Sequence, residues 1–394
     1  MFRQMIRILG LVVFFAIIAA CLAAVIVPRF LDRVYYRGPV SDHFDGQRFF
    51  NPGGDDDTAS PAPSGSKTSR AGFIFRYLTG RDGRPDWPDH VDVAQAHPPA
   101  RVEGERMLVT WVGHASVLVQ TQGLNILTDP VWSDKAGPLG LGPTRVAAPG
   151  IAFDDLPKID LVLVSHDHYD HLDLATLKRL WARDQPLIIS SLGNDSVIAQ
   201  SGAKAVVRDW GGSVEVKPGV EVVVTRGHHW TSRWFSDRNR ALWSGFVVRL
   251  PGGNLYFAGD TGFGDGKWPA EAAAYGPIRL ALIPIGAFRF TEGQMASGSH
   301  VGPLDAMRIF ERLRAAHAIG IHWGTFRLSY EGYMTPPHML KAVSQCAGTG
   351  DAFTTIPIGE SVEIPTGDTP PKPKITDRDA LLACLDTPAV KAMR

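Results

Sequence analysis

The stretch Leu161-Val162-Leu163-Val164-Ser165-His166-Asp167-His168-Tyr169-Asp170-His171 decides how this chain folds. Its first four residues are wholly apolar, which is the pattern of a short strand covered on both faces. Its last six hold three histidines and two aspartates. So many polar groups on one loop are costly to bury unless something compensates them. A metal does so. His166 and His168 alternate by two, so both imidazoles can face one ion from an extended loop. Asp170 and His171 are offset and can serve a second ion nearby. Neutral imidazole with carboxylate suits zinc, and also iron or manganese.

Working outward, other chemistry-bearing residues also follow apolar runs. His229 comes a few residues after Glu221 to Thr225, Asp260 follows Leu255 to Ala258, and His322 follows Ala318 to Ile321. Strand ends converge along one sheet edge, where α/β folds place their sites. Asp260 stands isolated in Phe257-Ala258-Gly259-Asp260-Thr261-Gly262, where glycines allow close backbone approach. It is the best candidate for a carboxylate bridging two cations. Two cations about 3.5–4 Å apart would acidify a shared water into a hydroxide nucleophile. His300, in Gly298-Ser299-His300-Val301, reads as a residue that orients substrate or as a surface loop residue, and the first is preferred. Asp170 and His300 are the expected catalytic residues. Only one of His228 and His229 need be a ligand. His114 is expected to be structural or to support a ligand, as are Asp167 and Tyr169. Trp230, Trp234 and Phe235 could line an apolar pocket or simply pack.

Other short runs read as strands: Met107 to Trp111, Ser116 to Gln120, Leu124 to Thr128, Leu187 to Ser190, Gly245 to Leu250 and Leu280 to Pro284. Gln122-Gly123 supplies a hairpin turn. Leu174, Leu177 and Leu180 recur at helical spacing behind Asp173 as N-cap. Pro303 opens a helix with Leu304, Met307, Phe310 and Leu313 on one face. Strands interleaved with helices over about 260 residues imply one layered α/β domain.

The 394 residues carry 40 basic and 40 acidic side chains. With no positive excess, nucleic acid is not an expected partner. Cys21, Cys346 and Cys384 show no CxxC spacing, which argues against a thiolate zinc site. Whether Cys346 and Cys384 pair stays open. Ile8 to Val27 contains no charged residue, and twenty residues at about 1.5 Å each match a hydrocarbon core of roughly 30 Å. Arg3 and Arg7 precede this run; Arg29, Arg33 and Arg37 follow it. An uncleaved anchor is expected over a cleaved signal, because apolar residues continue past Ala19-Ala20. Lipoprotein processing at Cys21 is the remaining reading, since Ile18-Ala19-Ala20-Cys21 is lipobox-like. The expected location is a bacterial inner membrane with the catalytic domain outside the cytoplasm. The expected division is an anchor over 1–30, a linker and extension over 31–100, a hydrolase domain over 101–365, and a loosely ordered tail over 366–394.

His166-x-His168-x-Asp170-His171 resembles the signature of the metallo-β-lactamase fold hydrolases. Trp111 to Leu118, Leu127-Thr128-Asp129-Pro130, Phe257 to Gly262, Ile283 to Ala287 and Ile321 to Phe326 resemble the branch of phospholipases D that hydrolyse N-acylphosphatidylethanolamine. His229-Trp230 fits the same branch, and the resemblance runs from about Ser41 to Pro365. It implies a four-layer αββα sandwich and two zinc ions. His166, His168 and His229 would hold one, Asp170, His171 and His322 the other, with Asp260 bridging. It also implies a phospholipid substrate, phosphodiester hydrolysis and a place for His300 beside the phosphate. Gly302 departs from the acidic residue expected after His300-Val301, a difference that falls on local substrate contacts and not on a metal ligand. A lactone, a cyclic phosphodiester or another ester is the alternative substrate on the same fold. A non-catalytic metal-binding envelope protein is the alternative from another class.

Overall fold

The computed structural model describes residues 2–31, 33–54, 84–234, 236–289, 298–367 and 369–393. In chain order the strands are β1 (Met107–Gly113), β2 (Ser116–Thr121), β3 (Leu124–Thr128), β4 (Leu161–Val164), β5 (Leu187–Ser191), β6 (Ala205–Arg208), β7 (Ser213–Lys217), β8 (Val220–Thr225), β9 (Gly245–Arg249), β10 (Asn254–Phe257), β11 (Ile278–Pro284), β12 (His317–Ile321), β13 (Phe353–Thr354) and β14 (Ser361–Ile364). The helices are α1 (Phe2–Leu31), α2 (Leu174–Asp184), α3 (Asn194–Ile198), α4 (Trp268–Ala273), α5 (Pro303–Leu313), α6 (Thr335–Ala347), α7 (Arg378–Leu385) and α8 (Pro388–Lys391).

Two mixed sheets result, ordered β14-β1-β2-β3-β4-β5-β6 and β13-β12-β11-β10-β9-β8-β7. The residues explain the layering. Leu161 and Leu163 of β4 pack into the inter-sheet core with Val222, Val224 and Phe246. Val162 and Val164 face the other way, against Leu177 and Leu180 of α2. Burying each such side chain stabilises by about 1.5–3 kcal/mol. Val117 and Val119 of β2 share the first cluster, while Leu118 belongs to the second. Leu304, Met307, Phe310 and Leu313 of α5 are buried beneath the second sheet. Gln122 and Gly123 both have positive φ (54° and 68°), as a tight hairpin turn requires. Asp173 caps α2 by accepting from the amides of Ala175 and Thr176. The expected four-layer αββα sandwich is the observed one. Strands β3 to β6 are parallel, so their C-terminal ends share one edge.

Helix α1 includes Gln4–Ile26, a span long and apolar enough to cross a membrane. Within the stretch expected as linker and extension, a strap packs on the domain. Tyr35, Phe44 and Phe49 are buried, the latter two with Leu242 and Trp243. Tyr35 donates to Asp237 at 2.9 Å and Asn51 donates to the His229 carbonyl at 2.9 Å. Residues 55–83 of the expected linker and extension lie outside the described residues. His43 pins the strap: its ring lies 2.6 Å from Asp42 and 2.8 Å from Asp209 and stacks on Trp210. Burial opposes charge on this ring, but hydrogen bonds to Asp209 and Asp42 outweigh it and raise its pKa. The charged form therefore stabilises the docked strap. That contribution is fully present below the ordinary histidine value and is lost as pH rises through the raised one. His43→Gln is expected to lower the melting temperature at about pH 5.5 and to lower it less at about pH 9.

The tail differs from the loosely ordered segment expected. Leu381 and Leu385, four apart on α7, are buried on one side, and Cys384 is bridged to Cys346 of α6. A tail rich in proline, lysine and aspartate concealed a short helix with one apolar face. The bridge closes a separation of 38 residues, and loop-closure entropy of that size corresponds to about 4 kcal/mol. Cys346→Ser with Cys384→Ser is expected to lower the melting temperature by roughly 8–15 °C in a thermal melt.

Candidate metal centre

Every strong candidate reaches the shared edge by a short connection. The loop after β4 carries His166, His168, Asp170 and His171; the segments after β8, β10 and β12 bring His229, Asp260 and His322. His322 sits in the left-handed region (φ 64°), held by its amide donating to the His114 carbonyl at 2.9 Å. His229 is fixed by its Nδ1, which donates to the Ser299 carbonyl at 2.8 Å. That tautomer leaves Nε2 with its lone pair facing inward.

Two groups of side chains form. His166 Nε2 lies 2.8 Å from His168 Nδ1, and His229 Nε2 lies 3.4 Å from the same atom. His171 Nε2 lies 3.2 Å from His322 Nε2 and 3.5 Å from Asp170 Oδ2. Asp260 reaches both groups. Its Oδ2 is 3.1 Å from His171 Nε2 and 3.9 Å from His229 Nε2, and its Oδ1 is 3.0 Å from His322 Nε2. Donors about 2.0–2.1 Å from a tetrahedral zinc are separated by about 3.3–3.4 Å, close to these spacings. Such a convergence of ring nitrogens and carboxylates is favourable only around positive charge.

The titration behaviour agrees. Burial pushes the His166 and His229 imidazoles well below the ordinary value, and His168 down to about 3, the neutral form a ligand needs. Burial works against charge on Asp260, but His171 and His322 hold its carboxyl well below the usual range. Burial likewise opposes charge on His322, and Asp260 and Asp170 outweigh it and raise the ring to about 9. The carboxylates thus demand cations, here drawn from imidazoles where a divalent ion would serve better.

Residues behind the donors complete the site. Asp129, at the end of β3, is fully buried; its Oδ2 lies 2.6 Å from His171 Nδ1 and accepts from the Ser165 hydroxyl at 2.6 Å. Its role was not read from the sequence, where an aspartate before proline looks like a turn residue; the signal was its place at a strand end. Asp129→Asn removes the negative partner of His171. It is expected to lower metal affinity at the Asp170–His171–His322 group and activity by about 10–100-fold, read by metal titration and turnover. His114 Nε2 lies 3.0 Å from Asp170 Oδ2 and its ring centroid lies 3.9 Å from that of His322, tilted by 41°, a supporting position. Tyr169 donates to the Arg233 carbonyl, and Arg233 donates to the carbonyls of Asp167 and Leu172, bracing the histidine loop. Asp237, which receives Tyr35, also accepts from the amides of Arg233 and Trp234, so strap and metal loop share one network. His228 packs against Gly264, outside the clustered donors. His300 Nδ1 is 3.7 Å from Asp260 Oδ2, and His300 groups with Asp260 and His229 as a further set of possible ligand atoms. The Trp230 ring lies 4.3 Å from that of His168. Trp234 is half-buried, and Phe235 lies outside the described residues.

Comparison with known proteins shows the family. The Beta-lactamase superfamily domain matches residues 124–323. The chain is 36% identical over 268 residues to N-acyl-phosphatidylethanolamine-hydrolyzing phospholipase D 1 of Caenorhabditis elegans, covering 64% of this chain and 75% of that protein. It is 31% identical over 227 residues to a UPF0173 metal-dependent hydrolase of Pyrobaculum islandicum, covering 56% and 86%. Among solved structures, the metallo hydrolase Igni18 of Ignicoccus hospitalis superposes with a TM-score of 0.51 at 20% identity, over 66% of this chain and all of that one. With its two-sheet sandwich and its histidine–aspartate edge, the chain belongs to the beta-lactamase superfamily and is a metal-dependent hydrolase of the metallo-β-lactamase fold.

Proposed function

We propose that this chain is a two-zinc phosphodiesterase of phospholipase D type acting on N-acylphosphatidylethanolamine-like lipids. It would release phosphatidic acid and an N-acylethanolamine. The carrying observation is Asp260, one carboxylate within reach of both donor groups. His166, His168 and His229 would hold one ion; Asp170, His171 and His322 would hold the other. When bound, the ions supply Lewis acidity and an acidified water. The chain's own residues orient and exclude. Asp129 and the Ser299 carbonyl fix the His171 and His229 tautomers. His114 holds Asp170 in place. His300, its imidazole pushed down to about 4 by burial, presents a neutral ring to a substrate oxygen. The identity to a lipid-hydrolysing relative supports the substrate class.

The Cys346–Cys384 bridge supports an oxidising compartment for the catalytic domain, and with α1 as an anchor this is the exported side of a membrane. The test of substrate is direct. The purified chain, with two metals per chain verified, is mixed with N-acylphosphatidylethanolamine vesicles and N-acylethanolamine is measured. Release supports the proposal. No release removes the lipid assignment and leaves the hydrolase class.

A further inference from the structure

Five large apolar side chains outside α1 are exposed among the described residues: Val34, Val40, Leu139, Leu141 and Met334. All five are on connections at the metal edge. Val34 and Val40 belong to the strap, which docks on Asp237 and Ser196. Leu139 and Leu141 follow β3 in Gly137-Pro138-Leu139-Gly140-Leu141-Gly142, and Met334 follows β12. Leu139 is 87% exposed and Leu141 is 64% exposed, so neither packs on the domain. Surface apolar residues scattered singly carry no meaning, but confinement to one edge does.

The chain itself indicates what covers them. Helix α1 runs five residues past Ile26, the end of the apolar span, and four further residues reach buried Tyr35. Helical rise and full extension allow at most about 22 Å between the hydrocarbon edge and the docked strap. Headgroups occupy roughly the first 6 Å of that. A domain held so close must turn one surface to the lipid. The strap contacts Ser196, just beyond β5, and the leucine loop leaves β3. These strands are two apart in one sheet, so their roots are about 10 Å apart. Arg33, Arg37 and Lys135 are exposed beside these apolar groups, and so are Asp42, Asp45 and Asp134, so the charges balance and the apolar side chains carry the contact.

We propose that the metal-bearing edge rests on the bilayer, with Leu139 and Leu141 inserted among the lipids as a second contact beside α1. This rests on the anchor reading of α1 and goes beyond it. The orientation turns the metal centre toward the bilayer, so that a lipid would enter from the membrane rather than from water.

The test uses the full chain carrying Cys21→Ala, which leaves the bridged pair and one introduced thiol. Leu139→Cys and, separately, Pro218→Cys are labelled with a small fluorophore. Pro218 lies in the turn before β8, at the opposite edge. Each protein is placed in vesicles of phosphatidylcholine and phosphatidylglycerol containing brominated phospholipid. Flotation with the vesicles and quenching several-fold stronger at 139 than at 218 are expected. Flotation with equal quenching at the two positions, weak or strong, overturns the proposal and leaves the anchor. Failure to float overturns the anchor reading and the orientation with it. Neither outcome bears on N-acylethanolamine release, which is measured separately.

Discussion

Asp260→Asn is expected to lower hydrolysis on the order of 10³-fold or more, because it removes a charge needed by both donor groups. The amide keeps the shape of the carboxylate. It puts an N–H or a weaker neutral oxygen where His171, His229 and His322 now meet Oδ2 and Oδ1. At least one ion should be lost, read by elemental analysis beside turnover. The fold should survive, because Asp260 sits at a strand end and the inter-sheet core does not depend on it. Retained activity would contradict the bridging role.

The same residues show what the sequence makes legible. Strands such as β4 and β11 are covered on both faces, so their apolar runs stand out. Strands β6, β7 and β14 lie at sheet margins and are half-exposed; at four or five residues each they carry only two apolar side chains or so, among lysine, arginine and glutamate, and lack the apolar run that marks a covered strand. They were not read. Ligand candidates were legible because histidine is rare and each follows an apolar run. Asp129 was not, because its meaning depends on a ring 42 residues away. Nor was the strap. Tyr35, Phe44 and Phe49 form no period of their own, and their burial is decided by Leu242 and Trp243 some 200 residues on.

Removing the metals is the second large effect expected. Without cations, two buried carboxylates and a ring of imidazoles face one another, and charge is shared only by protonating His171 and His322. Chelation should abolish hydrolysis. It should also cost about 4 kcal/mol of stability if the ions are held at about a thousand times their dissociation constants. For a domain of this size that is a fall of roughly 10 °C in melting temperature. Zinc should restore both, and magnesium, which prefers oxygen ligands, should not. Unchanged stability on stripping would mean that the donors do not depend on metal for their arrangement.

The central claim is that one edge of the sandwich holds two ions through one shared carboxylate. Anomalous diffraction from crystals of the metal-loaded chain tests it most directly. The account predicts two peaks roughly 3.5–4 Å apart, one among His166, His168 and His229 and one among Asp170, His171 and His322, with Asp260 touching both. A single peak, or two peaks of which Asp260 touches only one, would contradict it.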